Sequence, residues 1–135
     1  MDTETLRLRV LLAEDDPEMR WLVARTLRRD GYDVVEVEDG DELYREITMR
    51  IVRTGTPDID LIVTDVRMPG RSGLEIVELL RGADHDVPVI LMTAFGEEAL
   101  RERASSTGAV LLDKPFALPD LRTAAMLLLL AAHDH

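Results

Sequence analysis

The chain predicts an α/β fold: a doubly wound parallel sheet of five strands with five helices. Three observations lead there. Short apolar runs of strand length alternate strictly with segments of helical period, the signature of βα units around a parallel sheet. Three of those runs end on acids: Val10-Leu11-Leu12-Ala13 enters Glu14-Asp15-Asp16, Ile59 to Thr64 enters Asp65, and Val110-Leu111-Leu112 enters Asp113-Lys114-Pro115. The 135 residues hold no repeat, low-complexity stretch or long linker, and they suffice for one good core.

The first strand is read at about Leu8 to Ala13. Asp16-Pro17 then opens a helix, Asp being a favoured N-cap and Pro a favoured first helical residue. Met19, Leu22, Val23 and Leu27 form its expected buried stripe, and Gly31 ends it. The second strand spans about Asp33 to Val37. A second helix runs from about Asp41 to Val52 with Leu43, Ile47 and Ile51 on one face, until Gly55-Thr56-Pro57 breaks it. The third strand is Asp60 to Thr64. Ser72 and Glu75 have the spacing of a capping box for a third helix through about Arg81, buried by Ile76, Leu79 and Leu80. Val87 to Met92 is the fourth strand, with Pro88 tolerated only near its start. A fourth helix covers Glu97 to about Ser106 and stops at Gly108. Ala109 to Leu112 is the fifth strand, and Pro119 opens the last helix.

In open sheets of this kind ligands bind beyond the carboxyl ends of the strands, where strand order reverses. The flavodoxin-like order 2-1-3-4-5 puts that point between the first and third strands, the two that end in Glu14-Asp15 and Asp65.

Composition narrows the chemistry. There is no cysteine, so disulfides, thiolate zinc sites and cysteine nucleophiles are excluded. The net charge of −11 argues against non-specific nucleic-acid binding, which needs a basic footprint. The start, Met1 to Thr5, is acidic and polar, unlike a secretory signal, and the apolar run Ala124 to Ala132 is too short to cross a bilayer. The expectation is a cytoplasmic protein of one domain, residues 1–135, with 1–7 and 133–135 as frayed tails.

Taken singly, the strand-end residues are ordinary. Asp65 reads as a turn residue, Glu14-Asp15-Asp16 as a solvated loop with one N-cap, Lys114 as a solvated lysine and Thr93 as a strand end. Together they make a site. Three carboxylates converging at a switch point repel one another unless a cation joins them. Mg²⁺ suits them because it takes hard oxygen ligands, needs only one or two carboxylates and keeps waters that a phosphate can replace. Asp65 is then a carboxylate nucleophile for a phosphoryl donor, with Lys114 and Thr93 placed to neutralise the transferred oxygens.

At these residues the chain resembles a response-regulator receiver domain of bacterial two-component signalling. The resemblance covers about Leu8 to Ala131. It is carried by Leu11-Leu12-Ala13-Glu14-Asp15-Asp16-Pro17, Thr64-Asp65-Val66-Arg67-Met68-Pro69-Gly70-Arg71-Ser72-Gly73, Leu91-Met92-Thr93-Ala94, and Gly108-Ala109 through Lys114-Pro115-Phe116. The resemblance implies that Asp65 is the phosphoacceptor, fed by a sensor histidine kinase or a histidine phosphotransfer protein. It implies that Asp15 binds Mg²⁺ directly, Glu14 through water, and Arg67 by its backbone carbonyl. Thr93 and Lys114 would contact the phosphoryl group, and Pro115 would be cis. Asp16 falls outside the metal pair and reads as the helix cap. Arg67 and Phe95 would flank the water path for loss of the phosphoryl group.

Three features depart from the pattern. Leu111 stands where the family often has an aromatic residue that moves inward with the threonine. The stretch Gly40 to Asp65 is several residues longer than usual, so Tyr44 to Thr56 is expected to lengthen the second helix. Ala124-Ala125-Met126-Leu127-Leu128-Leu129-Leu130-Ala131-Ala132 carries more apolar residues than one helix face can bury, which suggests a homodimer or partner on the last helix. Two other classes of function stay open. One is a phosphorylation-independent interaction module acting through the last helix. The other is a metal-dependent phosphohydrolase, disfavoured because Arg67 stands where such enzymes place a second aspartate.

Overall fold

The structure is a computed structural model that describes residues 7–94 and 97–133. Ten elements alternate along the chain: β1 (Arg9–Ala13), α1 (Pro17–Arg29), β2 (Asp33–Val37), α2 (Gly40–Thr54), β3 (Leu61–Asp65), α3 (Gly73–Gly82), β4 (Val89–Thr93), α4 (Glu98–Ser106), β5 (Val110–Asp113) and α5 (Leu118–His133). All strand pairs are parallel, in the order β2-β1-β3-β4-β5. The flavodoxin-like topology expected from the sequence is the one observed.

The sheet separates two apolar layers because successive side chains of a strand point to opposite faces. On one face Leu11, Ile62 and Leu91 pack against Leu43 and Ile47 of α2, Val77 and Leu80 of α3 and Ala104 of α4. On the other, Val10, Leu12, Val63, Ile90 and Met92 meet Val23, Ala24 and Leu27 of α1 and Leu121, Ala125 and Leu129 of α5. β3 and β4 are buried at every residue, as strands covered by helices on both faces must be.

The helix signals act locally. Asp16 caps α1 by accepting from Glu18 N at 3.0 Å, with Pro17 at its first position. Asp39 caps α2 by accepting from Glu42 N at 2.8 Å, so that helix begins slightly before its expected start. α2 continues to Thr54, and Gly55 closes it at φ 85° by donating to Ile51 O at 2.7 Å. Ser72 caps α3 by accepting from Glu75 N at 3.0 Å. On the edge strand β2, Arg28 of α1 donates to the Val34 carbonyl at 2.9 Å and pairs with Glu36 at 2.8 Å.

Two expected core residues face outward instead. Leu22 is 38% exposed and Leu79 is 55% exposed. Each helical residue turns the side chain by about 100°, and the faces that meet the sheet are centred on Val23, Ala24 and Leu27 and on Ile76, Val77 and Leu80. Strands β3, β4 and β5 each end one residue later than the apolar runs do, because backbone pairing carries Asp65, Thr93 and Asp113 into the ladder. Among the expected tails, 1–6 and 134–135 lie outside the described residues, and His133 is the last residue of α5.

Two glycines hold the β3–α3 loop against its surroundings. A Cβ on Gly73 would sit 2.0 Å from the Asp65 carbonyl oxygen, and one on Gly40 would sit 1.6 Å from the Arg71 carbonyl oxygen. Gly40 N also donates to Pro69 O at 3.0 Å, and the Arg71 guanidinium lies 3.9 Å from the Tyr44 ring centroid. The loop after Asp65 therefore rests on the N-terminus of α2.

α5 buries one stripe and exposes another, with Leu121 at 0% and Leu127 at 57% exposure. Leu121→Ala is expected to lower stability by about 2–5 kcal/mol, whereas Leu127→Ala should stay within about 0.5 kcal/mol of the parent in urea denaturation.

Candidate functional site

Three strand ends bring the site together. β1 runs buried through Ala13 into Glu14, whose amide donates to the Val37 carbonyl at 3.2 Å and keeps it in line with the sheet. Arg20 of α1 donates to the Glu14 carbonyl at 2.9 Å and lies 3.6 Å from Glu36 and 3.7 Å from Glu38. β3 delivers Asp65, only 4% exposed, with the next amide, Val66 N, bound to Met92 O at 2.9 Å. β5 leads to Lys114, whose amide donates to the Thr93 carbonyl at 2.7 Å, and the Lys114–Pro115 bond is cis.

The side chains converge. Glu14, Asp15 and Asp65 each offer a carboxylate oxygen, and the three lie within 4.8 Å of one another. Lys114 Nζ stands 2.9 and 3.1 Å from the two Glu14 oxygens and 2.6 Å from Asp65 Oδ1. The contact with Asp65 is an ion pair off the axis of a hydrogen bond, so buried Oδ1 has a charged neighbour but no aligned donor. Burial pushes the Asp65 carboxyl above the ordinary carboxylate range. Lys114 pulls it back in part, and the negative charge of Glu97 adds to the rise.

Around this centre, Thr93 is 4% exposed and its Oγ1 donates to Asp113 Oδ1 at 2.6 Å. Arg101 of α4 binds the same carboxylate oxygen. Arg67, two residues after Asp65, turns its guanidinium to Glu97 at 2.8 Å, bridging the β3–α3 and β4–α4 loops. The Glu97 carboxylate has one buried oxygen without a partner among the described residues.

The donor set fits a hard divalent cation. It offers three carboxylates against one ammonium, leaving two negative charges uncompensated, and an oxygen of Asp65 lacks an aligned donor. A recess of about 890 Å³ lies at the other end of the sheet, between Arg9, Asp33, Asp60 and Asp86, without this convergence of acids on a lysine.

Of the residues expected at the site, Glu14, Asp15, Asp65 and Lys114 are brought together. Thr93 lies on the neighbouring strand end, and the Arg67 side chain points to Glu97. Phe95 lies outside the described residues. Asp16 is the α1 cap, as its register suggested. Asp113, the acid on which the last apolar run ends, faces Thr93 and Arg101 and is absent from the carboxylate group. In-register pairing with Thr93 explains this, since register partners on neighbouring strands share a face. Arg20, Glu97 and Arg101 were not foreseen. Each reaches the site from a helix or loop by a long side chain, and no strand-end pattern marks such residues.

An open α/β sheet with a Mg²⁺-compatible acidic pocket at its switch point is the frame of receiver domains and of some metal-dependent phosphohydrolases, and similarity to known proteins decides between them. The chain belongs to the response regulator receiver domain family, whose model matches residues 10–126. It is a receiver domain of two-component signalling. It is 36% identical over 116 residues to the phosphate regulon transcriptional regulatory protein PhoB of Klebsiella pneumoniae, covering 84% of this chain and 48% of that protein. It is 36% identical over 115 residues to the transcriptional regulatory protein PdtaR of Mycobacterium tuberculosis, covering 84% of this chain and 52% of that protein. The chain thus spans about half the length of these relatives. Among solved structures, the receiver domain of Francisella response regulator 1452 superposes with a TM-score of 0.79 over 93% of this chain and 99% of that one; at 24% identity the likeness is one of fold. Among the described residues, no helix is long and apolar enough to cross a membrane.

The raised Asp65 pKa has a sign that can be tested. Ionising Asp65 is harder in the folded chain than in the unfolded one, so its contribution to stability is full below the ordinary carboxylate range and is lost as pH rises through the raised value. Without divalent cations, Asp65→Asn should melt above the parent at neutral pH, and the gap should close on acidification. Mg²⁺ at tenfold its Kd should stabilise the parent by about 1.4 kcal/mol, roughly 5 °C in Tm for a domain of this size, and should stabilise Asp65→Asn far less; calorimetry with and without Mg²⁺ reads both effects.

Proposed function

We propose that this chain is a phosphorylation-dependent switch in which Asp65 accepts a phosphoryl group from the phosphohistidine of a sensor histidine kinase or histidine phosphotransfer protein. The observation that carries the reading is the convergence of Glu14, Asp15 and Asp65 on Lys114 at the sheet's switch point. An Asp65 carboxylate oxygen attacks phosphorus, the P–N bond to histidine breaks, and the imidazole leaves with the electron pair and takes up a proton. The product is an acyl phosphate on Asp65. Asp15, Asp65 and the Arg67 carbonyl would hold Mg²⁺ directly and Glu14 through water. When bound, the ion supplies neutralising charge for the transferred oxygens. Lys114 exchanges part of its contact with Asp65 and Glu14 for a phosphoryl oxygen, and Thr93 donates its hydroxyl to another.

Each cycle consumes one phosphoryl donor and modifies only the chain itself. The chemistry is self-modification followed by hydrolysis, so the chain is a switch and not an enzyme in the ordinary sense. Residues 1–135 form one receiver unit, working in the cytoplasm where its kinase presents phosphohistidine. A net charge of −11 keeps direct contact with nucleic acid out of this domain's role. A second reading has one observation in its favour. Met126, Leu127 and Leu130 on α5 are exposed at 48%, 57% and 57%, which favours a phosphorylation-independent contact with a partner or a second copy through that helix.

Intact mass after incubation with acetyl phosphate separates the readings. A single Mg²⁺-dependent phosphoryl adduct, absent in Asp65→Asn, is expected; no adduct under conditions that label other receivers would favour the α5 module. The Arg67–Glu97 bridge stands beside the attacked carboxylate, so Arg67→Ala should change the half-life of the adduct by at least about threefold, corresponding to roughly 0.6 kcal/mol in the barrier to hydrolysis. An unchanged half-life would remove Arg67 from the path of water.

A further inference from the structure

Thr93 closes β4 and Asp113 closes β5, and the two are register partners. The Thr93 hydroxyl carries one proton and can donate to one acceptor at a time. In this structure that proton goes to Asp113 Oδ1 at 2.6 Å, with no second acceptor for it among the described residues. Asp113 is itself tied to α4, because Arg101 reaches the same oxygen while its Nε stands 3.4 Å from Glu98. Hydrogen bonds from Thr93 and Arg101 hold the Asp113 carboxyl below its ordinary range, which keeps it an acceptor.

α4 is the least anchored helix of the fold. Its only buried residue is Ala104, and its N-cap, Glu97, makes no side-chain capping bond because that carboxylate is turned to Arg67. Leu111, one turn of the pleat before Asp113 on β5, offers no polar atom to report a movement of Thr93. The Arg101–Asp113–Thr93 chain is therefore a polar connection from the strand ends at the pocket to the body of α4, beside the Arg67–Glu97 bridge to that helix's N-cap.

We propose that Asp113 is a positioning residue: anchored to α4 through Arg101, it competes with a phosphoryl group on Asp65 for the Thr93 hydroxyl, and the outcome of that competition carries site occupancy to α4. The inference rests on Asp65 being the phosphoacceptor. When Thr93 turns to the phosphoryl oxygen, Asp113 loses one of its two donors, the Arg101 pair rearranges, and a weakly held helix shifts with it.

Beryllofluoride with Mg²⁺, a non-covalent mimic of the phosphoryl group, tests this on the whole chain with two readouts: affinity, and the change in α4 amide shifts on saturation. Asp113→Ala should bind beryllofluoride about threefold to tenfold more tightly, the range expected for removing one competing hydrogen bond. It should also lose most of the α4 response. Arg101→Ala should lose the α4 response with a smaller gain in affinity. In a Thr93→Ala background Asp113→Ala should leave affinity unchanged, a result that a general structural role for Asp113 would not produce. Binding by the parent together with parental affinity and α4 shifts in Asp113→Ala overturns the competition alone. Failure of the parent to bind overturns the phosphoacceptor reading, and the inference with it.

Discussion

A buried cluster of like charge at the end of a parallel sheet is the constraint on which the rest of this structure depends. Glu14 and Asp65 are 1% and 4% exposed, and burying two carboxylates side by side is tolerable only with a cation between them. Lys114 supplies that cation from 100 positions away in the chain relative to Glu14, reaching both acids within 3.1 Å. One lysine against three acids leaves the pocket short of positive charge. That shortfall is what makes it a receptor for a divalent ion, while burial, with a smaller contribution from the charge of Glu97, lifts the Asp65 carboxyl above its usual range. The fold serves this arrangement. Parallel strands all point their carboxyl ends the same way, and the reversal of strand order at β1 and β3 leaves an opening there for the acids.

The surroundings of the pocket are built for close approach. Gly73 lets the first turn of α3 lie against the Asp65 carbonyl, and Gly40 lets α2 meet the loop at Arg71. A side chain at either place would push the loop outward and move the carboxylate with it. Arg20 fixes the end of β1 from a helix on the opposite side, and Arg67 joins the two loops over the pocket through Glu97. The aspartate thus sits on rigid strands while the groups that close over it sit on loops, an apportionment suited to a site that must be both preorganised and reversible.

Much of this was legible in the sequence, and the unread part has a physical cause. Element type and order follow from the period of the apolar residues, and Asp16, Ser72, Gly31, Gly55 and Gly108 mark helix ends by local backbone chemistry. Glu14, Asp15, Asp65 and Lys114 were visible because strand ends in such a sheet must meet. Leu22 and Leu79 misled because apolar character alone does not say on which side of a stripe a residue falls. The role of Asp113 went unread because proximity in sequence to Lys114 says nothing about which face of β5 it occupies; only the pairing with Thr93 decides that. Arg101 and Glu97 are tertiary contacts made by long side chains, and no local pattern encodes their reach.

The open edges of the sheet have a bearing on how the protein behaves in a crowded solution. Each edge strand carries backbone groups that can template another strand. At β2, Arg28 occupies the Val34 carbonyl and pairs with Glu36 on the same strand, while at the other margin β5 is four residues long and ends in the charged Asp113. With a net charge of −11 over the whole chain, both margins discourage edge-to-edge stacking of copies. Any self-association is thereby directed away from the sheet and onto the helices, where contact is made by side chains that can be released rather than by a ladder of backbone bonds.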